Sequence, residues 1–530
     1  MHNMTRLPDS AHIHAPFDDH VFHFKNDQVI LEKHQGKRWI RIVSPEFGPH
    51  LFRVTKVIGG HHREDFAGVE EGQSDPHTEH ILPVSYMLET GLFRYKGYSV
   101  MDPERPGIKP GAIWNHACIF CHNTVPYFST LLGALTEPVI KGYQGEMVDW
   151  LLPPKKRVQI VRTDSNSLRS ALVDEIRYLK GSVESKKLDL RSLDKKAINL
   201  TFSKFNETHL LERGIGCESC HGGSLEHVQN PRRFVPSLEP QSLFLSVKAP
   251  LQAPNARHSD DIKRVCARCH QVLFTQYPWT WEGGFRSDSV PGGSHINSGE
   301  GRDMLLGKCE VTCTQCHDPH SHDDKTKMER LETQAGNLVC LSCHTKYQAS
   351  EMLRNHSHHS PEGAGGLCMN CHMPMKNMSL DTRLSRYHRI GSPTDPVRVE
   401  KDRPLECALC HTDKSVVSLV DTMEKWWPHK YDRSILKKLY GDLVANSLEA
   451  TLRMGKPHEK AIALYLAGKQ SRVDLVPLIT EELGDPYPLI RYYAENALVD
   501  LLHQSSPLDL HQETKFILRD AAEWFKKASH

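Results

Sequence analysis

The feature that most constrains this chain is a short motif, Cys-x-x-Cys-His, which occurs seven times. Its cysteines are Cys118, Cys121, Cys217, Cys220, Cys266, Cys269, Cys313, Cys316, Cys340, Cys343, Cys368, Cys371, Cys407 and Cys410. The histidines that close the motifs are His122, His221, His270, His317, His344, His372 and His411. Only Cys309 of the 15 cysteines lies outside a motif, so nearly every cysteine serves one repeated chemistry.

This motif is the attachment signature of c-type haem. Two thiols with this spacing can each bond one vinyl group of a porphyrin, and the following imidazole then reaches the iron as its proximal ligand. Structural zinc instead favours sets of four ligands, which an odd number of Cys-x-x-Cys pairs does not supply evenly. Disulfides and thioredoxin-like dithiols require no histidine after the second cysteine. The motifs therefore predict seven covalently bound haem c groups with their iron.

The remaining histidines bear on the second axial ligand of each iron. The chain has 34 histidines, and the large surplus beyond the seven motifs favours bis-His ligation for most haems. Two axial imidazoles give a closed iron suited to electron transfer, whereas an open position admits a substrate. Position relative to the motifs gives four groups as the first candidates, each expected to supply one distal ligand: His227, His320 with His322, the cluster of His356, His358 and His359, and His388. A second set of candidates consists of His116, His295 and His356.

Three regions are expected along the chain. Residues 1–110 lack cysteine and predict a small β-rich module that contains a hairpin with its turn at His34-Gln35-Gly36-Lys37. We expect Gly59-Gly60 to close this module. Residues 111–412 hold all the motifs, with a helical insertion at about 140–212. Within the insertion, Asp164 or Ser165 as the cap and the helical spacing of Leu168, Leu172, Ile176 and Leu179 predict a helix that ends at Gly181. Residues 413–530 predict a haem-free helical tail. The expected fold is thus a mostly α and irregular multihaem core between a β-rich module and an α-helical tail.

Composition excludes several classes of protein. Lys and Arg total 66 against 65 for Asp and Glu, so no basic surface points to nucleic acid. No stretch approaches the roughly 18 apolar residues of a transmembrane helix. Residues 1–30 show no secretory signal, and we therefore expect a mature or N-terminally incomplete form. Haem c is attached outside the cytoplasm in bacteria, which predicts a periplasmic or extracellular location.

The chain resembles bacterial multihaem c-type cytochromes that carry a TPR- or HEAT-type helical tail. The resemblance rests on segments such as Cys316-His317-Asp-Pro-His320, His356-Ser-His-His359 before Cys368, Arg386-Tyr-His388-Arg, and the HEAT-like Arg491-Tyr-Tyr-Ala-Glu-Asn-Ala-Leu498. It implies distal ligand roles for His227, His320, His359 and His388. Members of that family usually carry another haem motif further upstream, so an eighth haem in a missing segment stays open.

Two functions compete at this stage. The first is electron transfer along closely spaced haems between redox partner proteins, which include other multihaem cytochromes. The alternative is an oxidoreductase acting on a small nitrogen or sulfur compound at one open haem, with the Cys118-Cys121-His122 motif as the first candidate. Ammonia-forming nitrite reductases carry a lysine in place of one motif histidine. All seven motifs here end in histidine, which argues against that class of enzyme. Docking of the chain into a homo-oligomer or larger assembly is compatible with electron transfer.

Overall fold

The computed structural model describes residues 4–9, 13–95, 108, 113–126, 128–129, 159–182, 188–222, 225–238, 245–248, 254–270, 300–307, 309–321, 325–379 and 381–528. The chain divides into two compact units. The first unit comprises Met1–Lys96 with Arg105–Leu273, and the second comprises Gly97–Glu104 with Phe274–His530. The expected haem region at 111–412 is therefore shared, with three motifs in the first unit and four in the second.

One antiparallel sheet forms the start of the first unit. Its strands are β1 (Thr5–Arg6), β2 (His20–Phe24), β3 (Asp27–His34), β4 (Lys37–Ser44), β5 (Gly48–Gly59), β6 (Arg63–Glu70), β7 (His80–Met87) and β8 (Leu92–Tyr95). Strands β2 to β8 follow one another in chain order, and the short β1 pairs with β5. This meander requires only short connections between neighbouring strands.

The predicted hairpin is present as β3 and β4. His34 pairs with Lys37 across a two-residue turn, and both turn residues have positive φ, +49° at Gln35 and +77° at Gly36. Such a turn matches the twist of the two strands it joins. Alternate side chains then reach the core, because successive residues of a strand point to opposite faces. The fully buried ones are Val29, Leu31, Ile40 and Ile42.

The expectation that Gly59-Gly60 closes the module is wrong. These glycines form the turn between β5 and β6, and the sheet continues to β8. Gly59 has a φ of +85°, and a Cβ there would lie 2.7 Å from the Arg63 carbonyl oxygen, so the turn requires glycine. A glycine pair marks a reversal of the chain here and not a domain boundary.

The two end strands of the sheet approach each other. The rings of Phe24 on β2 and Tyr95 on β8 have centroids 4.4 Å apart. Those of His20 and Phe93, on the same two strands, lie 4.9 Å apart. The sheet therefore curls towards a barrel around an aromatic and aliphatic core.

Helices and short strands complete the first unit. They are α1 (Trp114–Ala117), α2 (Ile119–His122), β9 (Gln159–Arg162), α3 (Ser165–Tyr178), α4 (Leu190–Lys204), α5 (Leu225–Gln229), β10 (Leu245–Lys248) and α6 (Pro254–Ala267). The predicted helix of the insertion is α3, with Asp164 accepting the Asn166 N–H at its start. The Gly181 N–H donates to the Ile176 carbonyl at its end. The part of the expected insertion before residue 159 lies outside the described residues.

The second unit consists of short helices around its motifs, followed by longer ones. Its elements are α7 (Glu300–Leu306), α8 (Cys313–Cys316), α9 (Lys325–Leu331), α10 (Asn337–Leu341), α11 (Ser350–Ser357), α12 (Cys368–His372), β11 (Met375–Met378), β12 (Leu384–Arg386), α13 (Pro396–Val399), α14 (Val416–Trp426), α15 (Arg433–Tyr440), α16 (Ser447–Met454), α17 (Pro457–Lys469), α18 (Val476–Glu481), α19 (Pro488–Leu502) and α20 (Thr514–Ala528). Within the described residues, no helix is both long and apolar enough to cross a membrane.

The helical tail is docked on the last two motif segments of this unit. The buried Tyr493 hydroxyl of α19 donates to the Arg383 carbonyl at 2.7 Å, and it accepts the Ser379 N–H at 3.1 Å. The Arg403 side chain, 7% exposed, pairs with the Glu459 carboxylate, 1% exposed, at 2.8 Å. Buried polar groups tolerate loss of a partner poorly, so the tail is an integral part of the unit.

Candidate haem-binding sites

The described motifs share one local shape. In each, a single helical turn brings the histidine N–H to the carbonyl of the first cysteine, as in His270 to Cys266 and His344 to Cys340, both 2.9 Å. Residues three positions apart lie on the same face of such a turn. Both sulfurs of a motif therefore face one side with the histidine beside them, which suits attachment of one porphyrin and ligation of its iron.

In the first unit the cysteines of all three motifs approach one another. The Cys121 sulfur is hydrogen-bonded to Cys269, and this bond together with burial raises the pKa of Cys121. Burial and the nearby Cys269 also raise the pKa of Cys220. Cys269 of the third motif thus lies near a cysteine of the first motif and near one of the second.

In the second unit the motifs follow one another in chain order. Cys340 of the fifth motif is hydrogen-bonded to Cys368 of the sixth, which raises the pKa of Cys340. Cys316 of the fourth motif lies within electrostatic reach of Cys340. Cys371 of the sixth motif lies within electrostatic reach of Cys407 in the seventh. Successive attachment sites are therefore neighbours.

The surroundings of two buried sulfurs, those of Cys371 and Cys407, favour neutral sulfur as in a thioether, whereas hydrogen bonds from Cys121 and Cys340 lower the pKa of Cys269 and of Cys368. Burial raises the pKa of Cys371 to about 11, and burial with the adjacent Glu406 carboxylate raises that of Cys407 to about 12. Thiolate ligands of zinc need surroundings that favour the anion, whereas a thioether carries no charge. These surroundings suit covalent haem attachment better than a thiolate centre.

Three motif histidines of the second unit face a second histidine across a gap. His317 faces His388, with ring centroids 6.3 Å apart and planes 23° apart. His372 faces His356 at 5.9 Å and 5°. His411 faces His359 at 5.9 Å and 32°. Two imidazoles bound at about 2.0–2.1 Å on opposite sides of one metal have centroids about 6 Å apart, so each gap fits an axially ligated iron.

The outer nitrogens of several paired rings are held by the backbone. The His388 Nδ1 lies 2.9 Å from the Arg386 carbonyl oxygen, the His372 Nδ1 lies 2.9 Å from that of Gly391, and the His359 Nδ1 lies 2.6 Å from that of Ser357. An Nδ1–H donated to a carbonyl fixes the tautomer and leaves Nε2 for a metal. Each ring is thus oriented by its own local segment.

Burial favours the neutral form of these imidazoles. Desolvation lowers the pKa of His388, of His372 and of His356. Neutral imidazole is the form that binds a metal. The protonation state of these imidazoles and the geometry of the facing rings therefore both favour binding of a metal.

Two of the first candidates for distal ligands, His227 and His320, are not part of these three histidine pairs. His227 lies on α5, where its Nδ1 is 2.6 Å from the Phe234 carbonyl oxygen. His320 lies on an exposed turn after the fourth motif, and its N–H donates to the Asp318 carboxylate. Their roles as distal ligands stay predictions.

The second set of candidates is only partly described. The helix that carries His116 is described but its side chain is not, and His295 lies outside the described residues. His356 is described, and the sequence ranked it below His359 although each of the two faces a different motif histidine. The histidine cluster before the sixth motif was expected to supply one ligand, and the geometry offers two.

Sequence analysis missed the residues that surround His359. His358 ends α11 in the left-handed conformation with a φ of +58°, and its ring stacks on Trp426 with centroids 4.6 Å apart. Gly365 packs directly against the His359 ring. No periodic pattern signals such contacts, because they join α11, the following loop and α14.

One comparison with known proteins agrees with the motif chemistry. Residues 308–349, which contain the fourth and fifth motifs, match the family described as doubled CXXCH motif. The chain is similar to a solved structure, the outer cell wall cytochrome OcwA, at 14% identity over 84% of this chain and 88% of that chain, with a TM-score of 0.33. None of the curated proteins matches the chain. The doubled motif supports covalent haem c and a multihaem c-type cytochrome.

Proposed function

We propose that this protein is a multihaem c-type cytochrome that carries electrons between redox partner proteins outside the cytoplasm. The observation that carries the proposal is the set of three facing histidine pairs in the second unit. Haem iron supplies one-electron redox chemistry when bound, and a second imidazole closes it to substrates. A haem iron with two histidine ligands has no open position for a substrate, so it is suited to electron transfer.

The proposed axial pairs are His317 with His388, His372 with His356, and His411 with His359. The fourteen motif cysteines would hold seven haems, with the remaining motif histidines as proximal ligands. His227 and His320 are proposed as distal ligands of other motifs on the basis of sequence position and family resemblance. His116 and His295 are kept as further candidates on sequence position alone.

Contacts between attachment sites support transfer along the chain. A hydrogen bond between Cys340 and Cys368 joins the fifth and sixth motifs, and electrostatic effects on cysteine pKa values link the fourth motif to the fifth and the sixth to the seventh. Neighbouring sulfurs would bring the edges of neighbouring porphyrins together, and a short distance favours transfer between them. The residues of the second unit thus favour a linear relay.

The tail is proposed as a HEAT-like structural cap that holds the seventh motif. Gln470, the residue that follows α17, donates to the Leu409 carbonyl at 3.0 Å and accepts from the Thr412 hydroxyl at 2.9 Å. These two contacts lie on either side of His411. A helical cap of this kind would keep the last attachment site rigid.

Film voltammetry of the holoprotein tests the proposal, with haem counted by intact mass. We expect seven covalently bound haems, reversible waves that account for the same number of electrons, and no catalytic current with nitrite, hydroxylamine or sulfite. A catalytic current with any of them, or waves altered by cyanide, would favour the enzyme over the carrier.

A second candidate function, catalysis at an open haem, stays a prediction from the sequence. The first motif, which the sequence favoured, has the buried Trp114 ring 5.6 Å from that of His122.

A further inference from the structure

His359 emerges from an abrupt reversal of the chain. Helix α11 ends at Ser357, and His358 adopts the left-handed conformation with its N–H donated to the Arg354 carbonyl at 2.8 Å. The next residue, His359, then turns towards the seventh motif and faces His411 at 5.9 Å. The orientation of the His359 ring therefore depends on the reversal at His358 and on the residues that pack against the ring.

Gly365 packs against one side of that ring. A Cβ at this position would lie 2.3 Å from His359 Cγ and 2.4 Å from its Cδ2. Carbon atoms that are not bonded do not approach so closely, since packing contacts are about 3.5–4.0 Å. Gly365 has no positive φ, so the requirement is for space and not for a special backbone conformation. Any side chain here would displace the imidazole.

Trp426 packs against the same segment from α14. Its ring meets His359 edge to face, with centroids 6.4 Å apart and planes 82° apart. It also stacks on His358 at 4.6 Å and 14°, while Trp427 stands perpendicular to it at 5.6 Å. Edge-to-face and offset-stacked geometries are the ones that aromatic pairs prefer. The His358 ring is thereby turned onto the tryptophan, and His359 is left to face His411.

We propose that Gly365 and Trp426 are positioning residues that hold His359 opposite His411 and select it over His358 as the axial partner. Gly365 provides the space for the ring, and Trp426 engages the competing histidine. This role rests on the proposed axial pair of His359 and His411.

The experiment compares Gly365→Ala with Gly363→Ala in the oxidised holoprotein. A Cβ at Gly363 meets only Ser360, with its carbonyl oxygen at 3.6 Å and its Cβ at 3.9 Å, and these are ordinary contacts, so this variant is the matched control. Haem content is measured by mass, and spin state is measured by low-temperature EPR with cyanide added in parallel. We expect Gly365→Ala to lose one low-spin haem per chain and gain one cyanide-binding haem, with Gly363→Ala unchanged.

Two further variants separate the possible failures. His359→Gly removes the ligand itself, and we expect one open haem that added imidazole closes again. If His359→Gly opens a haem and Gly365→Ala does not, the positioning role is wrong and the axial pair stands. If His359→Gly leaves every haem low-spin, the axial pair is wrong and the positioning role fails with it.

Variants at Trp426 provide an independent readout should the glycine variant misfold. Trp426→Phe keeps an aromatic face for His358, and we expect a wild-type spectrum. Trp426→Ala removes that face, and we expect part of one haem to become high-spin or to shift its low-spin signal. Identical spectra for the wild type and both variants would overturn the role of Trp426.

Discussion

The imidazole rings of His356 and His372 lie almost parallel, with planes 5° apart and centroids 5.9 Å apart. His356 comes from the last turn of α11, and His372 ends the sixth motif. Three residues further on, His359 faces His411 of the seventh motif. One short segment thus places a histidine opposite each of two motif histidines, and this arrangement motivates the first prediction.

Replacing His356 is predicted to open the sixth haem site alone. His356→Ala removes one of two axial imidazoles, so one haem should become high-spin and bind cyanide or carbon monoxide. The measurement is the EPR and visible spectrum of the oxidised and reduced holoprotein. Asn355→Ala, one position earlier on the exposed side of α11, is the control and should leave the spectra unchanged. An unchanged spectrum for His356→Ala would reject this pairing.

Removal of the Glu459 carboxylate is predicted to destabilise the docking of the tail. Glu459→Ala leaves the buried Arg403 guanidinium without its 2.8 Å partner, which costs about 3–5 kcal/mol in such sites. Urea unfolding of the holoprotein measures the change. The exposed pair of Arg453 and Glu449, 3.2 Å apart, provides the control. Glu449→Ala should cost about 0.5 kcal/mol or less, and equal losses for the two variants would contradict the account.

Asp194 is predicted to make the first unit less stable as the pH rises. It lies on α4 at 1% exposure, its carboxylate has no hydrogen-bond partner among the described residues, and burial raises its pKa from 3.8 to about 7 despite the nearby Arg162. The folded state binds this proton more tightly than the unfolded state. Its stabilising effect is therefore complete below about pH 4 and is lost as the pH rises towards 7.

Asp194→Asn should remove that dependence and raise the unfolding free energy at pH 8 by up to about 4 kcal/mol. Urea midpoints between pH 4 and 8 measure the effect. Asp189, which caps the same helix by accepting the Ser192 N–H at 2.7 Å, has a pKa lowered by that bond. Asp189→Asn should have the opposite effect on the free energy of unfolding. It should lower that free energy above about pH 4, where the ionised Asp189 stabilises the wild type. If both variants showed the same pH profile of stability, the pH dependence could not be assigned to the buried Asp194 carboxyl.

Local patterns in the sequence are confirmed where they depend on neighbours in the chain. The β3–β4 hairpin is predicted by the Gln35-Gly36 turn, and helix α3 by the cap at Asp164 and the apolar spacing after it. The motifs likewise form because each needs only one helical turn. These features are encoded within a few residues, so they could be derived before the structure.

Features that depend on distant packing could not be derived in this way. His356 and His359 face different motifs because His358 reverses the chain in the left-handed conformation, which spacing alone does not reveal. The glycine pair Gly59-Gly60 suggests the end of the β-rich module, yet the residues that follow it add further strands to the sheet. The contact of Gly365 with His359 likewise exists only once the loop has folded back.

The most direct test of the account is low-temperature EPR of the fully oxidised holoprotein, with haem quantified in the same sample. Facing histidine pairs on a chain with seven attachment motifs predict seven haems, all low-spin, in an electron carrier. A high-spin signal equal to one haem or more would contradict the closed electron carrier and assign the protein to catalysis at an open iron.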